Sequence, residues 1–148
     1  NGNLNGELIL PVNQACELLE AQRSADGWLS FRAVSPEHRG AGRLRLIAPR
    51  GVSVISDIDD TIKITGIPDG VDTVLRNTCL RDFIPAPGMV ERYRQLDAAF
   101  HYVSGAPWQL FPPLSRFLAD VGYPEGSFHM KDVTVHPLSL RTWQNLFA

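Results

Sequence analysis

The 148-residue sequence predicts an α/β fold with an incomplete parallel sheet covered by helices, preceded by a small β-rich segment. Two observations support this expectation. From Gly51 onward, short runs of β-branched and aromatic residues alternate with helical patterns, an order that produces right-handed crossovers and a parallel sheet. Polar residues suited to chemistry also follow each run, where ligands bind in such sheets. We therefore divide the chain into residues 1–50 and residues 51–148.

The first segment is predicted to form a small accessory layer rich in β-structure. Apolar stretches recur at residues 7–10, 28–34 and 43–48. Polar and apolar residues alternate at the start of the third stretch, as in a half-buried strand. Residues 36–42 are expected to form a loop, and residues 49–51 a turn that marks the boundary with the second segment.

A short helix is predicted between the first two stretches, from Asn13 as its cap to Gln22. It is expected to bury Cys16, Leu18 and Leu19. The chain has two cysteines, Cys16 and Cys79, which match no metal-binding spacing. We expect two buried thiols in a reducing compartment rather than a disulfide.

The second segment is predicted to alternate strands with helices. Strands are expected at residues 52–56, 100–103 and 127–130. Helices are expected at residues 89–98 and from about residue 109 to residue 121, with Pro107 at the first helical position of the second. The first strand is rich in β-branched residues, as buried parallel strands are.

Composition excludes several classes of function. The net charge of −2 gives no electrostatic basis for nucleic-acid binding. No uninterrupted apolar run approaches the ~20 residues that a membrane span requires. The first residues show no basic stretch followed by an apolar one, so no signal peptide is predicted.

An acidic cluster follows the first predicted strand of the second segment. Asp57 and Asp59 are separated by one residue and can face a single phosphoryl group and a single metal ion. A carboxylate can attack phosphorus and form an aspartyl-phosphate, and a second carboxylate can donate and accept protons. Mg²⁺ prefers oxygen ligands and offsets the repulsion between carboxylate and phosphate.

Two simpler interpretations of the cluster exist. A solvated acidic turn after a strand is common. A helix–loop–helix calcium site would need Gly at the sixth position and Glu at the twelfth. Counted from Asp57, these positions hold Ile62 and Pro68, so the calcium interpretation fails. Asp60 is expected only to tune the local charge.

Ser104 and Lys131 follow the second and third predicted strands. Ser104 stands before a predicted helix, where a hydroxyl and free amides form an anion seat, although a serine there is more often a cap. An isolated lysine such as Lys131 is usually a solvated charge, but at a strand end it can compensate a phosphate. Together with Asp57 and Asp59, the two residues indicate a phosphoryl-transfer site.

The order Asp-x-Asp-x-Thr, then Ser, then Lys resembles the haloacid dehalogenase superfamily of phosphohydrolases, whose sheet is Rossmann-like. More narrowly, the sequence is similar to the actin-patch phosphatidate phosphatase family of fungi and its bacterial, lipin-like relatives. The stretches that carry the resemblance are residues 54–63, 87–89, 100–110 and 126–131. Residues 51–148 are accordingly expected to be the N-terminal part of a phosphatase catalytic domain.

The resemblance implies a role for each site residue. Asp57 would be the nucleophile and a Mg²⁺ ligand. Asp59 would be the general acid and base, and its main-chain carbonyl would also reach the metal. Thr61 would orient the nucleophile, Ser104 would bind a phosphoryl oxygen, and Lys131 would stabilise the charged intermediate. Residues 62–86 would form a mobile flap that closes over the substrate.

The resemblance also implies a substrate and a location. Its eukaryotic members hydrolyse phosphatidate to diacylglycerol, so we expect a cytoplasmic enzyme that acts at a membrane surface. A hydrolase for a soluble phosphomonoester, a phosphotransferase and a non-catalytic phospholipid-binding module are the alternatives. Degenerate binding modules typically lose one of the two aspartates, and both are present here. Several side chains could contact a membrane, namely Trp108, Leu110, Phe111, Arg43, Arg45 and Arg50.

The pattern departs from the family at its end. Members carry a fourth motif, a Gly-Asp stretch that completes the Mg²⁺ site, whereas here only Asp132 follows Lys131 and residues 133–148 contain no acid. We expect that the chain stops before this motif and before the last strands of the sheet. An unpaired sheet edge would then favour self-association or a partner chain.

Overall fold

The computed structural model describes residues 9–34 and 39–132, and the chain divides into two compact units with a boundary between Pro49 and Arg50. Predictions for residues 7–8, 36–38 and 133–148 lie outside the described residues. Within the described part, no helix combines the length and the apolar character needed to cross a bilayer.

The first unit consists of one helix and one β-hairpin. Helix α1 spans Val12–Ala21, and strands β1 (Trp28–Val34) and β2 (Arg39–Arg45) pair antiparallel. The side-chain amide of Gln22 joins the helix end to the hairpin, because it donates to the Ser30 carbonyl and accepts from the Ser30 amide, both at 2.9 Å. The antiparallel pair agrees with the predicted β-rich segment.

The predicted loop at residues 36–42 is wrong for its second half. Residues 39–42 belong to β2, where Arg39 pairs with Val34 and Gly42 pairs with Phe31. In the hairpin, the Phe31 ring occupies the space that a Cβ on Gly42 would need. Gly42 therefore allows the aromatic ring to lie flat across the neighbouring strand.

Helix α1 buries fewer side chains than predicted. Ala15 is buried and Leu19 is half-buried, whereas Cys16 and Leu18 are exposed. Residues four apart share one face of a helix, so Ala15 and Leu19 form the covered stripe and their neighbours lie beside it. The residue at the N-cap position is Pro11 instead of Asn13.

The second unit contains a three-stranded, all-parallel sheet in the order β3-β6-β7. Its strands are β3 (Ser53–Asp57), β6 (Ala99–Pro107) and β7 (Gly126–Lys131). Helix α3 (Met89–Arg94) leads into β6, and α4 (Phe111–Val121) connects β6 to β7. This parallel sheet with connecting helices, together with the antiparallel pair of the first unit, confirms the predicted α/β class and its incomplete Rossmann-like sheet.

One face of this sheet packs into the core. Successive strand residues point to opposite faces, and the buried set combines strand and helix side chains. It consists of Ile58, Ile62, Val90, Phe100, Tyr102, Leu114, Phe117, Leu118 and Tyr123. The opposite face of the sheet is open at β3, where Ile55 is 76% exposed, so the prediction that this strand is fully buried is wrong. Helices α3 and α4 contribute to the core and cover the first face.

Several element bounds differ from the prediction. Strand β6 is longer than expected and includes Ser104 and Pro107, with a register irregularity between these two residues. Pro107 therefore ends a strand and does not begin a helix. A 3₁₀ turn at Trp108–Leu110 precedes α4. Helix α3 ends at Arg94 instead of residue 98.

The chain between β3 and α3 folds into a separate segment of short strands and helical turns. It begins with β4 (Lys63–Ile64) and returns through β5 (Ile84–Pro85), and these two short strands pair antiparallel. Between them lie a 3₁₀ turn at Ile67–Asp69, helix α2 (Val71–Leu75) and a π-helical turn at Arg76–Leu80. This segment coincides with the predicted flap at residues 62–86, whose mobility stays a prediction.

Candidate active site

Asp57 is the last residue of β3, and its side chain is exposed. Its Oδ2 accepts a hydrogen bond of 3.0 Å from the Thr61 hydroxyl. No donor of the described residues contacts Oδ1. Ser56, which is buried, donates to the Asp57 carbonyl at 2.8 Å and lies 3.0 Å from the Tyr93 hydroxyl. Ser56 thus holds the main chain of Asp57 in place, while Oδ1 of the carboxylate stays open.

A tight turn follows Asp57 and brings Thr61 back to it. The Ile58 carbonyl accepts from the amides of Thr61, Ile62 and Lys63 at 3.4, 3.1 and 3.0 Å. Ile58 itself is buried, and its amide continues the sheet by donating to Val103. The turn is anchored in the core because Ile58 and Ile62 are both fully buried.

Asp60 organises the next part of the loop. Its φ of 57° is in the left-handed region, which Asp tolerates better than most residues. Its carboxylate accepts from the amides of Thr65, Gly66 and Ile67 at 2.6–2.7 Å. Its limited burial acts to raise the pKa of Asp60, yet these three amides and the nearby Lys63 hold that pKa below its ordinary value of 3.8. The prediction that Asp60 only tunes local charge is therefore wrong.

The Asp59 carboxylate has one ion-pair partner and accepts two hydrogen bonds. Lys63 Nζ lies 3.1 Å from Oδ1, and the Thr65 hydroxyl donates to the same oxygen at 2.8 Å. The Ser104 hydroxyl donates to Oδ2 at 2.8 Å. A carboxylate has about four acceptor positions, two on each oxygen. Lys63 and Thr65 both contact Oδ1, whereas Oδ2 accepts only from Ser104 among the described residues.

Lys63 is buried beneath this network, with only 1% of its side chain exposed, against 19% for Asp59. Its ammonium donates to the Thr65 hydroxyl at 2.6 Å and lies 4.9 Å from the centre of the Phe83 ring. Buried charges are costly unless they are paired. The ion pair with Asp59, the Thr65 hydroxyl and the Phe83 ring together satisfy this lysine.

Ser104 is placed differently from the prediction of an anion seat at a helix start. It lies within β6 and is buried, and α4 begins at Phe111 without a side-chain cap. Its Oγ donates to Asp59 and accepts from the Ala106 amide at 3.0 Å. Ser104 is therefore anchored beside Asp59 by the local geometry of the strand end.

Lys131 ends β7 and pairs in register with Pro107 of β6. Since β3, β6 and β7 are parallel neighbours, the ends that carry Asp57, Ser104 and Lys131 lie along one edge of the sheet. The structure thus joins Asp57 to Thr61 and Asp59 to Ser104 by hydrogen bonds, and it places Lys131 on the strand beyond Ser104.

A magnesium ion fits the chemistry of the donors at this edge. Mg²⁺ binds oxygen and commonly uses one or two carboxylates together with substrate phosphate and water. Oδ2 of Asp57, which accepts only from Thr61 among the described residues, and the Asp59 carbonyl, to which no described group donates, are donors of this type. Within residues 9–34 and 39–132, no group of three or more His, Cys, Asp or Glu side chains is arranged to hold a metal ion.

The sequence reasoning missed Lys63 and Thr65. Lys63 stands between two isoleucines, Ile62 and Ile64. That apolar setting is unusual for a solvated lysine. Lys63 also lies four residues after Asp59, so a buried ion pair between the two could have been predicted. Thr65 carried no comparable signal, because its contact with Asp59 depends on the turn that Asp60 stabilises.

Comparison with known proteins identifies the family. The family model described as phosphatidate phosphatase APP1, catalytic domain, matches residues 52–146, which is more than half of the chain. The chain belongs to this family. The resemblance to the actin-patch phosphatidate phosphatase family is thus confirmed, and the APP1 catalytic-domain match contains both aspartates, Ser104 and Lys131.

Two curated relatives of this APP1-type chain come from yeasts. An uncharacterized protein of Schizosaccharomyces pombe is 39% identical over 79 residues, which are 50% of this chain and 13% of the relative. Phosphatidate phosphatase APP1 of Saccharomyces cerevisiae is 34% identical over 91 residues, 57% of this chain and 15% of that protein. The chain therefore spans 13% and 15% of the length of these relatives. No solved structure matches it significantly.

Proposed function

We propose that this protein is a magnesium-dependent phosphatase that forms an aspartyl-phosphate on Asp57 and acts on phosphatidate. The observation that carries the proposal is the arrangement of two carboxylates. Asp57 presents one open oxygen while Thr61 holds the other, and Asp59 keeps one open acceptor position beside Ser104. Membership of the APP1 catalytic-domain family supports a phosphoric monoester as the substrate.

In the first step, Oδ1 of Asp57 attacks phosphorus. A bond forms between this oxygen and phosphorus, and the bond between phosphorus and the alcohol oxygen breaks. The Thr61 hydroxyl on Oδ2 restricts rotation of the carboxylate, which keeps Oδ1 directed outward. Asp59 supplies a proton from Oδ2 to the leaving oxygen, so that the product is a neutral alcohol.

In the second step, water attacks the phosphorus of the aspartyl-phosphate. Asp59, now a carboxylate, accepts a proton from this water, and Asp57 is released as a carboxylate together with inorganic phosphate. Lys63 and Thr65 hold Oδ1 of Asp59 throughout, so both proton transfers use Oδ2. Bound Mg²⁺, held by Asp57 and the Asp59 carbonyl, would reduce repulsion between the nucleophile and the phosphate.

Ser104 and Lys131 complete the proposed site. The Ser104 hydroxyl can rotate from Asp59 towards a phosphoryl oxygen, because the Ala106 amide anchors its oxygen in place. Lys131, at the end of the third strand, would neutralise charge on the transferred phosphoryl group. The family pattern places a further acidic ligand after Lys131, and the nearest acid in this sequence is Asp132.

The proposed location is the cytoplasm, with peripheral attachment to a membrane surface, since phosphatidate is a bilayer lipid. β3 and β7 are the outer strands of the described sheet, and exposed strand edges pair readily with another chain. We therefore also propose self-association through this sheet. Light scattering of the purified protein across a range of concentrations would detect it, and a strictly monomeric protein would disprove it.

The proposal is tested by phosphate release from the full-length protein. Phosphatidate in mixed micelles is compared with soluble phosphomonoesters, with Mg²⁺ and after chelation. We expect a preference for phosphatidate, and loss of activity after chelation. Equal activity toward soluble phosphomonoesters would remove the lipid substrate and leave the phosphatase mechanism.

The nucleophile is tested by Asp57→Asn. This change is expected to abolish phosphate release, because an amide oxygen cannot replace the carboxylate as nucleophile. Asp97→Asn is the matched control, since it makes the same charge change at an exposed position of the loop before β6. Unchanged activity of Asp57→Asn, or a beryllofluoride adduct on another residue, would show that the assignment is wrong.

A further inference from the structure

The β-hairpin of the first unit carries all of its strand arginines on one face. In an antiparallel pair, directly opposed residues share a face, and alternate residues along each strand lie on the same side. Trp28 pairs with Arg45, Ser30 with Arg43, Arg32 with Ala41, and Val34 with Arg39. We call this side the arginine face, defined by Trp28, Ser30, Arg32, Val34, Arg39, Ala41, Arg43 and Arg45.

The arginine face is strongly basic for its size. The strands β1 and β2 contain four arginines and no acidic residue. Arg32, Arg39 and Arg43 are exposed, and Arg45 is half-buried. The whole chain has a net charge of −2, so this concentration of positive charge is local. A local patch of one sign attracts an extended surface of the opposite sign.

Two of these arginines are held above a buried aromatic ring. The guanidinium of Arg43 lies 4.7 Å from the centre of the Trp28 ring, and that of Arg45 lies 5.8 Å from it. Arg45 also donates to the Asp26 carbonyl at 3.3 Å. Stacking on an aromatic ring reduces the conformational freedom of an arginine, so both guanidinium groups are held on this face of the hairpin.

Asp26 is an acidic group close to this face. The pKa of Asp26 lies below its ordinary value, chiefly because the Ser24 hydroxyl donates to it, with a smaller contribution from Arg43. Asp26 is therefore charged at neutral pH and offsets one arginine. Glu37 belongs to the connection between the strands, outside the described residues. The strands themselves keep four positive charges.

An apolar side chain accompanies the charges. Val34, on the same face as Arg39, is 70% exposed at the end of β1. The sugar-phosphate backbone of a nucleic acid has no apolar surface for an exposed valine to contact. A bilayer interface, in contrast, binds both arginines and short apolar side chains. The mixture of guanidinium and apolar groups therefore favours a lipid surface over an oligonucleotide.

We propose that the arginine face is a docking surface for bilayers that contain anionic phospholipid. The choice of lipid as the anion rests on the proposed phosphatidate substrate, but the surface belongs to a different unit from the catalytic residues. Docking through the arginine face would hold the enzyme on the membrane between turnovers. The arginines would contact the phosphates of lipids other than the one being hydrolysed, so release of the product would not break these contacts.

The test is co-sedimentation of the full-length protein with vesicles of phosphatidylcholine, with and without phosphatidate. The variant is Arg32→Gln/Arg39→Gln, since neither arginine stacks on Trp28. The matched control is Arg92→Gln/Arg116→Gln, which removes the same charge from exposed positions of α3 and α4. Circular dichroism melting of both variants checks that each is folded.

We expect wild-type protein to bind the phosphatidate vesicles and to lose binding as salt is raised. The Arg32→Gln/Arg39→Gln variant should bind about 25-fold more weakly, at about fivefold per arginine, and the control should bind nearly as well as wild type. Equal binding by variant and wild type, an equal loss in the control, or tighter binding of wild type to an oligonucleotide than to vesicles would overturn the proposal.

Activity toward a short-chain, water-soluble phosphatidate separates this proposal from the proposed function. If Arg32→Gln/Arg39→Gln loses vesicle binding but hydrolyses the soluble lipid at the wild-type rate, the docking surface is supported. If wild-type protein binds vesicles through these arginines but hydrolyses no phosphatidate, the docking surface stands and the substrate is wrong.

Discussion

The Ser104 hydroxyl donates a hydrogen bond of 2.8 Å to Oδ2 of Asp59, although the two residues are 45 positions apart in the chain. The bond joins the end of β6 to the loop that follows β3. It places the serine on Oδ2, the oxygen of Asp59 that neither Lys63 nor Thr65 contacts. In the proposed mechanism, this is the oxygen that transfers the proton.

Ser104→Ala is expected to impair turnover more than folding. Loss of the hydroxyl removes a donor to a carboxylate and to the phosphoryl group, so kcat should fall by about 10- to 100-fold. Unfolding in urea should show a loss of about 1 kcal/mol, because the Ala106 amide also loses its acceptor. A wild-type kcat for Ser104→Ala would exclude a role for this hydroxyl in catalysis.

Lys63→Met is expected to destabilise the protein, since it leaves Asp59 without its ion-pair partner. Breaking a fully buried pair costs about 3–5 kcal/mol, and we expect about 2–4 kcal/mol here because water reaches Asp59. Adding Asp59→Asn removes the unpaired carboxylate. The double variant should therefore lose less stability than the sum of the two single variants, by about 1–2 kcal/mol. Additive losses in urea unfolding would show that the pair is not coupled.

Asp60→Asn is expected to destabilise the protein in a pH-dependent manner. Asparagine tolerates the same left-handed backbone, but it has a single acceptor oxygen for three amides. Because the folded-state pKa of Asp60 is lowered, its contribution is fully present above the ordinary pKa of 3.8 and is lost as the pH falls through the lower folded value. The melting temperatures of variant and wild type should differ at neutral pH and converge in acid. A constant difference across this range would contradict the prediction.

Tyr123→Phe is expected to weaken the attachment of the catalytic loop to the core. The Tyr123 hydroxyl donates to the Ile62 carbonyl at 2.9 Å, so its removal should cost about 1 kcal/mol at neutral pH. Burial, with smaller effects of Tyr93 and Glu91, raises the pKa of Tyr123 from 10.0 to about 12. Its contribution is thus present below pH 10 and is lost as the pH rises towards 12.

The variant should therefore lose less stability than wild type in alkali. Burial also raises the pKa of Tyr102, so part of the alkaline loss will remain in Tyr123→Phe. Thermal melting from neutral pH to pH 12 measures both effects. A variant with the wild-type alkaline decline would show that Tyr123 does not titrate in this way.

Local patterns in the sequence predicted much of the second unit. The β-branched run before Asp57 and the alternation of strand and helix depend on side-chain periodicity, which a sequence displays directly. Asp57 and Thr61 could be paired in advance, because both belong to one short motif after a strand. The predicted bounds of the strands and helices were less accurate. Strand β6 extends to Pro107 because its pairing with β7 continues past the register irregularity between Ser104 and Pro107.

The first unit was predicted less well. A loop is predicted at residues 36–42, but cross-strand packing of Phe31 on Gly42 extends the hairpin through its second half. Cys16 and Leu18 are exposed because α1 buries a narrow stripe containing Ala15 and Leu19. Which apolar side chains a short helix buries depends on its neighbour, and the sequence does not specify that neighbour.

By itself, the sequence determined the α/β class, the family and the positions of Asp57 and Asp59, since these follow from local patterns and a continuous motif. The tertiary structure decided which groups surround Asp59. Lys63 is buried and Ser104 meets the carboxylate because the segment after β3 and strand β6 converge at one edge of the sheet. Convergence of distant segments is a property of packing, so no motif could specify which oxygen of Asp59 stays open to a proton.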